Sequence, residues 1–184
     1  MIRFRTCALL FASLAIAPLA ASADAPSYND DGMHFDAPAN FTKIDLPPTD
    51  PTGSDDGDAV APLAAFVYHA GKTDQQTITI TVKRFDGSVA EFDKSHVGEL
   101  RKVESTFVAK NELTTLKNGM PAYYLKTNGG ETAGAFVQHF EYLVCDGTRG
   151  IDLSYGGPSG AFDESSAKAV LSTLYVVVYP RHRN

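Results

Sequence analysis

The chain has 184 residues, 43% of them hydrophobic and 21% charged, with a formal net charge of −6. That length makes one domain able to bury a core without disulfide staples. An acidic balance with no basic block excludes a nucleic-acid partner, because phosphate neutralisation needs clustered Lys and Arg. The short basic tail "PRHRN" at the C-terminus lies where chain ends fray into solvent.

The first element in chain order is an export leader. "MIRFR" carries Arg3 and Arg5, "TCALLFASLAIAPLA" follows as an apolar core, and Ala21-Ser22-Ala23 places small residues at the cleavage positions. This order predicts a secretory signal peptide over residues 1–23, with Asp24 as the first residue of the mature chain. The apolar run is shorter than the roughly 20 residues of a membrane-spanning helix, and Pro18 interrupts its end. Cys7 stands at the start of the apolar core, whereas a lipoprotein needs its cysteine at the end, so no lipid anchor is expected. The expected compartment is the periplasm or the exterior, with residues 24–184 as a single domain.

Within that domain, "SYNDDGMHFDAP" predicts a hairpin turned at Asp31-Gly32. "NFTKIDLP" continues as an extended segment. Pro47 to Pro62, "PPTDPTGSDDGDAVAP", is rich in Pro, Gly and Asp and predicts a long mobile acidic loop. "LAAFVYHA" and "TITITVKRF" follow as strands. In the second, Ile78, Ile80 and Val82 alternate with Thr77, Thr79 and Thr81.

A helix is predicted next. Ser88 and Glu91 have capping-box spacing, and Val89, Phe92, His96, Leu100, Val103 and Phe107 form a stripe at helical spacing. "NELTTLKNGMPAYYLKT" reads as a hairpin turned at Asn118-Gly119. "GAFVQHFEYLVC" and "GIDLSYG" read as a second hairpin around Asp146-Gly147. "FDESSAKAVLSTL" closes the domain as a helix capped by Asp163, with Phe162 set to staple onto Ala167 and with Val170, Leu171 and Leu174 facing inward. Hairpin-connected strands are antiparallel neighbours, so the expected fold class is α+β: a mainly antiparallel sheet with helices packed on it.

That arrangement resembles the PsbP-like group of domains. The resemblance rests on the "Y..DGM.F.AP..F" entry, the strand pair, the long first helix, the "NG.PAYYL" hairpin, and "YLV.DG.RGI.LSY" feeding a closing helix after "FD", and it spans residues 27–178. The group includes extrinsic photosystem subunits, the nuclear factor that releases nucleotide from Ran, and bacterial periplasmic DcrB-like proteins. The resemblance implies an α/β/α sandwich used mostly for docking to other proteins, and it carries no catalytic signature. Its members do unrelated jobs, so function does not transfer with the fold.

Candidate chemistry is sparse. Once the leader is removed Cys145 is the sole cysteine, which excludes a disulfide within the mature chain. With a turn at Asp146-Gly147, Phe140, Tyr142 and Val144 share a face with Ile151, Leu153 and Tyr155, while His139, Glu141, Leu143 and Cys145 point the other way. His139 and Cys145 then stand about 20 Å apart, too far for a nucleophile–base pair. Cys145 reads as a strand-end packing residue beneath a helix, with redox sensitivity as the alternative.

Gly157-Pro158-Ser159-Gly160-Ala161 matches the nucleophile-elbow pattern between a strand and a helix. Only Asp163, Glu164 and His182 follow it as acid and base, and Asp163 is the expected cap, so a Gly/Pro/Ser turn is the simpler reading. Asp50, Asp55, Asp56 and Asp58 offer hard oxygen donors suited to Ca²⁺, without EF-hand spacing. The histidines show no paired ligand spacing, and His96, on the helix stripe, reads as a hydrogen-bonded core residue. Asn40-Phe41-Thr42 is a glycosylation sequon, which matters only in a glycosylating secretory pathway.

No residue is therefore assigned as catalytic, cofactor-binding or metal-ligating, and no cofactor is expected. The expected function is non-enzymatic docking to a protein partner or support of an envelope assembly. The alternatives are a small serine hydrolase using Ser159 and a Ca²⁺-responsive module built on the acidic loop.

Overall fold

A computed structural model describes residues 25–46, 61–102, 106–132 and 135–177. The expected export leader, most of the acidic loop and the basic tail lie outside the described residues. Among the described residues, ten strands and two helices follow in order: β1 (Ser27–Asp30), β2 (Met33–Asp36), β3 (Thr42–Ile44), β4 (Ala61–Tyr68), β5 (Gln76–Arg84), α1 (Val89–Leu100), β6 (Thr106–Thr115), β7 (Pro121–Thr132), β8 (Ala135–Cys145), β9 (Arg149–Pro158), α2 (Glu164–Leu171) and β10 (Tyr175–Val176).

Seven strands form one antiparallel sheet in the order β3-β4-β5-β9-β8-β7-β6. The connection from β5 through α1 to β6 carries the chain from the middle of this sheet to its far edge. Consequently α1 lies across one face, over β6, β7 and β8. The opposite face is covered by α2 and by a small sheet of order β1-β2-β10. The expected α+β class and α/β/α layering are both observed.

Local chemistry explains the elements. Asp31 and Gly32 both take positive φ, 51° and 70°, as a two-residue hairpin turn requires. Ser88 accepts from the Glu91 N–H while the Glu91 carboxylate accepts from the Ser88 N–H, completing the capping box that starts α1. Asp163 caps α2 by accepting from the Ser166 N–H. The alternation in β5 buries Ile78 and Ile80 against Phe35, Phe66, Phe140, Ile151 and Leu153, all without solvent exposure. Each such side chain contributes about 1.5–3 kcal/mol through its removal from water.

Two expectations are corrected. The first helix does not run to Phe107: α1 ends at Leu100, and Phe107 lies in β6 opposite Asn128 of β7. The pairing of Thr106–Thr115 with a full-length neighbour outweighs the helical spacing that Val103 and Phe107 happen to share with α1. The acidic stretch also ends sooner than expected, because Ala61 and Pro62 already pair in β4 with Val82 and Thr81. One strand was not anticipated. β10 is two residues long, and it becomes a strand only because the exposed edge of β2 lies beside it.

Candidate functional site

The face of the large sheet beneath α1 carries a band of polar strand residues. On β5 these are Thr77, Thr79, Thr81 and Lys83; on β9, Asp152 and Ser154; on β8, His139 and Glu141; on β7, Thr127. The β8–β9 register sets Glu141 opposite Ser154 and Leu143 opposite Asp152, so Glu141 and Asp152 are diagonal neighbours on this face. α1 docks here through Phe92 and Val97, which pack with Leu125 and Leu143. Gly150 permits the approach: a Cβ at that position would lie 2.3 Å from the Phe92 ring.

The docked helix brings His96 down onto the carboxylates. Nε2 of His96 lies 2.7 Å from Oε2 of Glu141, and Glu141 is 4% exposed. The Thr127 hydroxyl donates to the other Glu141 oxygen at 3.4 Å. One ligand-type atom from each of His96, Glu141 and Asp152 lies within 4.8 Å of the other two. Oδ1 of Asp152 is buried and has no hydrogen-bond partner. Burial, reinforced by the charge of Glu141, raises the Asp152 carboxyl to about 7. Burial pushes the His96 imidazole down, but the hydrogen bond to Glu141 and the charge of Asp152 outweigh it and hold its pKa above the usual histidine value. A cavity of about 90 Å³ adjoins the cluster, lined by Thr81, Lys83, Phe92, His96, Glu99, Gly150 and Asp152. Lys83 at its wall is ion-paired with Glu99 at 3.1 Å.

Beyond α1 the same face opens into a groove of about 320 Å³, whose lining includes Thr77, Thr79, His139, Ser154 and Gly156. Gly156 makes room for the His139 ring, which would stand 2.5 Å from a Cβ there. Burial holds the His139 imidazole below its ordinary pKa. Ser154 Oγ lies 3.5 Å from His139 Nδ1, at the limit of hydrogen bonding. Among the described residues no acid hydrogen-bonds the far nitrogen of this ring, so the pair lacks the third group that orients a catalytic histidine.

The residues singled out in the sequence fall apart in space. Cys145 ends β8 on the α1 side, half-buried, with Sγ 3.1 Å from the Gly87 carbonyl oxygen. Ser159 is exposed in the turn after β9, and α2 begins five residues later at Glu164 instead of at the serine. Asp163 serves as the helix cap, while His182 lies outside the described residues, as do Asp50, Asp55, Asp56 and Asp58. Asn40 is exposed and Phe41 is buried. His96 is hydrogen-bonded in the core, as its place on the helix stripe predicts. Sequence reasoning missed Glu141 and Asp152 as its partners. The available signal was a lone carboxylate inside each of two apolar strand runs, "FEYLV" and "GIDLS".

Among solved structures, cyanobacterial PsbP (CyanoP) from Synechocystis sp. PCC 6803 superposes with a TM-score of 0.56 at 13% identity, covering 86% of this chain and 96% of that one. The fold is PsbP-like. LpqN of Mycobacterium tuberculosis, described as involved in cell envelope biogenesis, matches with a TM-score of 0.56 at 18% identity over 81% of this chain and 87% of LpqN. Protein PA94 of Pseudomonas aeruginosa matches at 0.50 and 11% identity, covering 86% of this chain and all of PA94 (100%). No protein-family model and no curated protein sequence matches the chain. These superpositions show a shared PsbP-like architecture, and identities of 11–18% leave the site residues to be read from this chain alone. No described helix of this PsbP-like domain is long and apolar enough to cross a membrane.

Proposed function

We propose that this chain is an exported accessory domain of the cell envelope, acting by docking to a protein partner and not by catalysis. One observation carries the reading. The charged start, apolar run and Ala21-Ser22-Ala23 triplet end three residues before β1 begins at Ser27, so cleavage after Ala23 leaves the packed domain intact. The PsbP-like fold, shared with an envelope-biogenesis protein, supports the same reading by analogy. Against a serine hydrolase, Ser159 stands in an exposed turn, its following acid is engaged as a helix cap, and no acid among the described residues orients the histidine beside Ser154.

The test is the intact mass of the exported protein, followed by affinity capture of the mature form from its own envelope fraction. The expected product starts at Asp24, carries no lipid and retains a defined partner. A chain that keeps Met1, or one bearing a diacylglycerol adduct, overturns the export argument. Ester hydrolysis abolished by Ser159→Ala or Ser154→Ala overturns the non-catalytic reading.

A further inference from the structure

We propose that His96, Glu141 and Asp152 form a binding site for one divalent transition-metal ion of the Zn²⁺ class. The donors are an imidazole nitrogen and two carboxylate oxygens supplied by α1, β8 and β9, which α1 docking brings within 4.8 Å of one another. Tetrahedral ligands at Zn–N and Zn–O lengths of about 2.0–2.2 Å stand roughly 3.4 Å apart, so modest rotation of the side chains closes the set. Two carboxylates match the charge of a divalent ion, and the imidazole favours Zn²⁺ over Ca²⁺ or Mg²⁺, which take all-oxygen shells.

Three further features point to a ligand. Oδ1 of Asp152 is a buried acceptor without a partner, a state that costs stability unless something donates to it or coordinates it. The Thr127 hydroxyl orients Glu141 from behind, as outer-shell donors orient metal-bound carboxylates. The adjoining cavity of about 90 Å³ leaves room on the His96 and Asp152 side for a water to complete the coordination. The nearest cation, Lys83, is held against both oxygens of Glu99, which offsets its charge. In the absence of metal, the short His96–Glu141 hydrogen bond occupies the position between two of the ligands, and the ion would replace that proton.

The experiment titrates the chelator-stripped mature chain with Zn²⁺ by calorimetry in competition with a chromophoric chelator, with Ca²⁺ and Mg²⁺ as controls. The expected result is one equivalent of Zn²⁺ bound. His96→Asn and Asp152→Asn should each weaken binding at least ~10-fold, while changes at the exposed His34 and His69, each beside an aspartate, leave it intact. Because His96→Asn could disturb α1 packing, imidazole resonances of the unmodified chain provide an independent reading: one equivalent of Zn²⁺ should shift those of His96. Failure of the stripped chain to bind Zn²⁺, equal affinity in Asp152→Asn, or an unshifted His96 would each overturn the site and leave the cluster as a proton-sharing pair.

Discussion

His96 of α1 and Glu141 of β8 stand 45 positions apart in the chain, yet Nε2 of one and Oε2 of the other meet at 2.7 Å beneath the helix. Asp152 on the neighbouring strand adds a second carboxylate to the same space. In the metal-free protein this is an electrostatic conflict, and its sign sets a pH dependence. Asp152 has a folded pKa raised to about 7, first by burial and then by the charge of Glu141. The folded state therefore holds a proton that the unfolded chain releases near pH 4. Stability from this group is complete below that value and is lost as pH rises toward 7. Asparagine has no such proton to lose. Asp152→Asn should raise the melting temperature at pH 8 by a few degrees in chelator-containing buffer and change it little at pH 4. Equal shifts at the two pH values would contradict the conflict between the carboxylates.

Gly150 and Gly98 give opposite predictions for the same substitution. A methyl group on Gly150 would meet the Phe92 ring at 2.3 Å, so Gly150→Ala should push α1 off the sheet and destabilise by about 1–3 kcal/mol. Gly98, inside α1, has no atom within 4 Å of a built Cβ, and Gly98→Ala should stabilise by about 0.5–1 kcal/mol through helix propensity. Urea denaturation of the two variants checks both signs at once. A Phe92→Leu change combined with Gly150→Ala should recover part of the loss, because the two residues share one space.

Asp146 organises the β8–β9 turn. Its side chain is 5% exposed; Oδ1 accepts from the Thr148 and Arg149 N–H groups at 3.0 and 2.8 Å, and Oδ2 accepts from Arg149 Nε at 2.7 Å. Burial alone would raise its pKa, but these donors outweigh burial and hold it below the ordinary aspartate value. A depressed folded pKa means that the stabilisation is present above the unfolded value and lost as pH falls through the folded one. Asp146→Ala should cost about 1–3 kcal/mol at pH 7. The stability curves of variant and parent should converge on acidification; a constant gap down to pH 2 would show that the carboxylate charge is not what holds the turn.

Cys145 is predicted to be replaceable. Its Sγ lies 3.1 Å from the Gly87 carbonyl oxygen, and a serine hydroxyl could donate to the same acceptor. Cys145→Ser should therefore cost less than about 1 kcal/mol and leave Zn²⁺ affinity and partner capture unchanged. Rapid labelling of the native thiol at neutral pH, together with lost binding in the serine variant, would instead mark Cys145 as a functional group.

Strand alternation, turn dipeptides and helix caps are local signals, and each was legible without coordinates. Asp31-Gly32, Asn118-Gly119, Ser88 with Glu91, and Asp163 all perform in the structure the role their chemistry predicts. The period-2 pattern also assigned the faces correctly: Phe140, Tyr142 and Val144 do share the core with Ile151, Leu153 and Tyr155. From these signals followed the α+β class, because antiparallel hairpins with two amphipathic helices have few ways to bury their apolar faces; the α/β/α layering was what the PsbP-like resemblance implied.

What only the tertiary structure decided is non-local. Phe107 fits a helical stripe as well as a strand, and the presence of a pairing partner in β7 settled it. β10 exists only because the edge of β2 is there to receive it. The same holds for the site. A histidine on a helix stripe and a carboxylate inside each of two strands are each unremarkable alone. Their meeting depends on which strands are neighbours, on the register that makes Glu141 and Asp152 diagonal, and on how closely α1 can approach over Gly150. Sequence spacing carries none of these, because the distance between residues on different elements is set by packing and not by the number of peptide bonds between them.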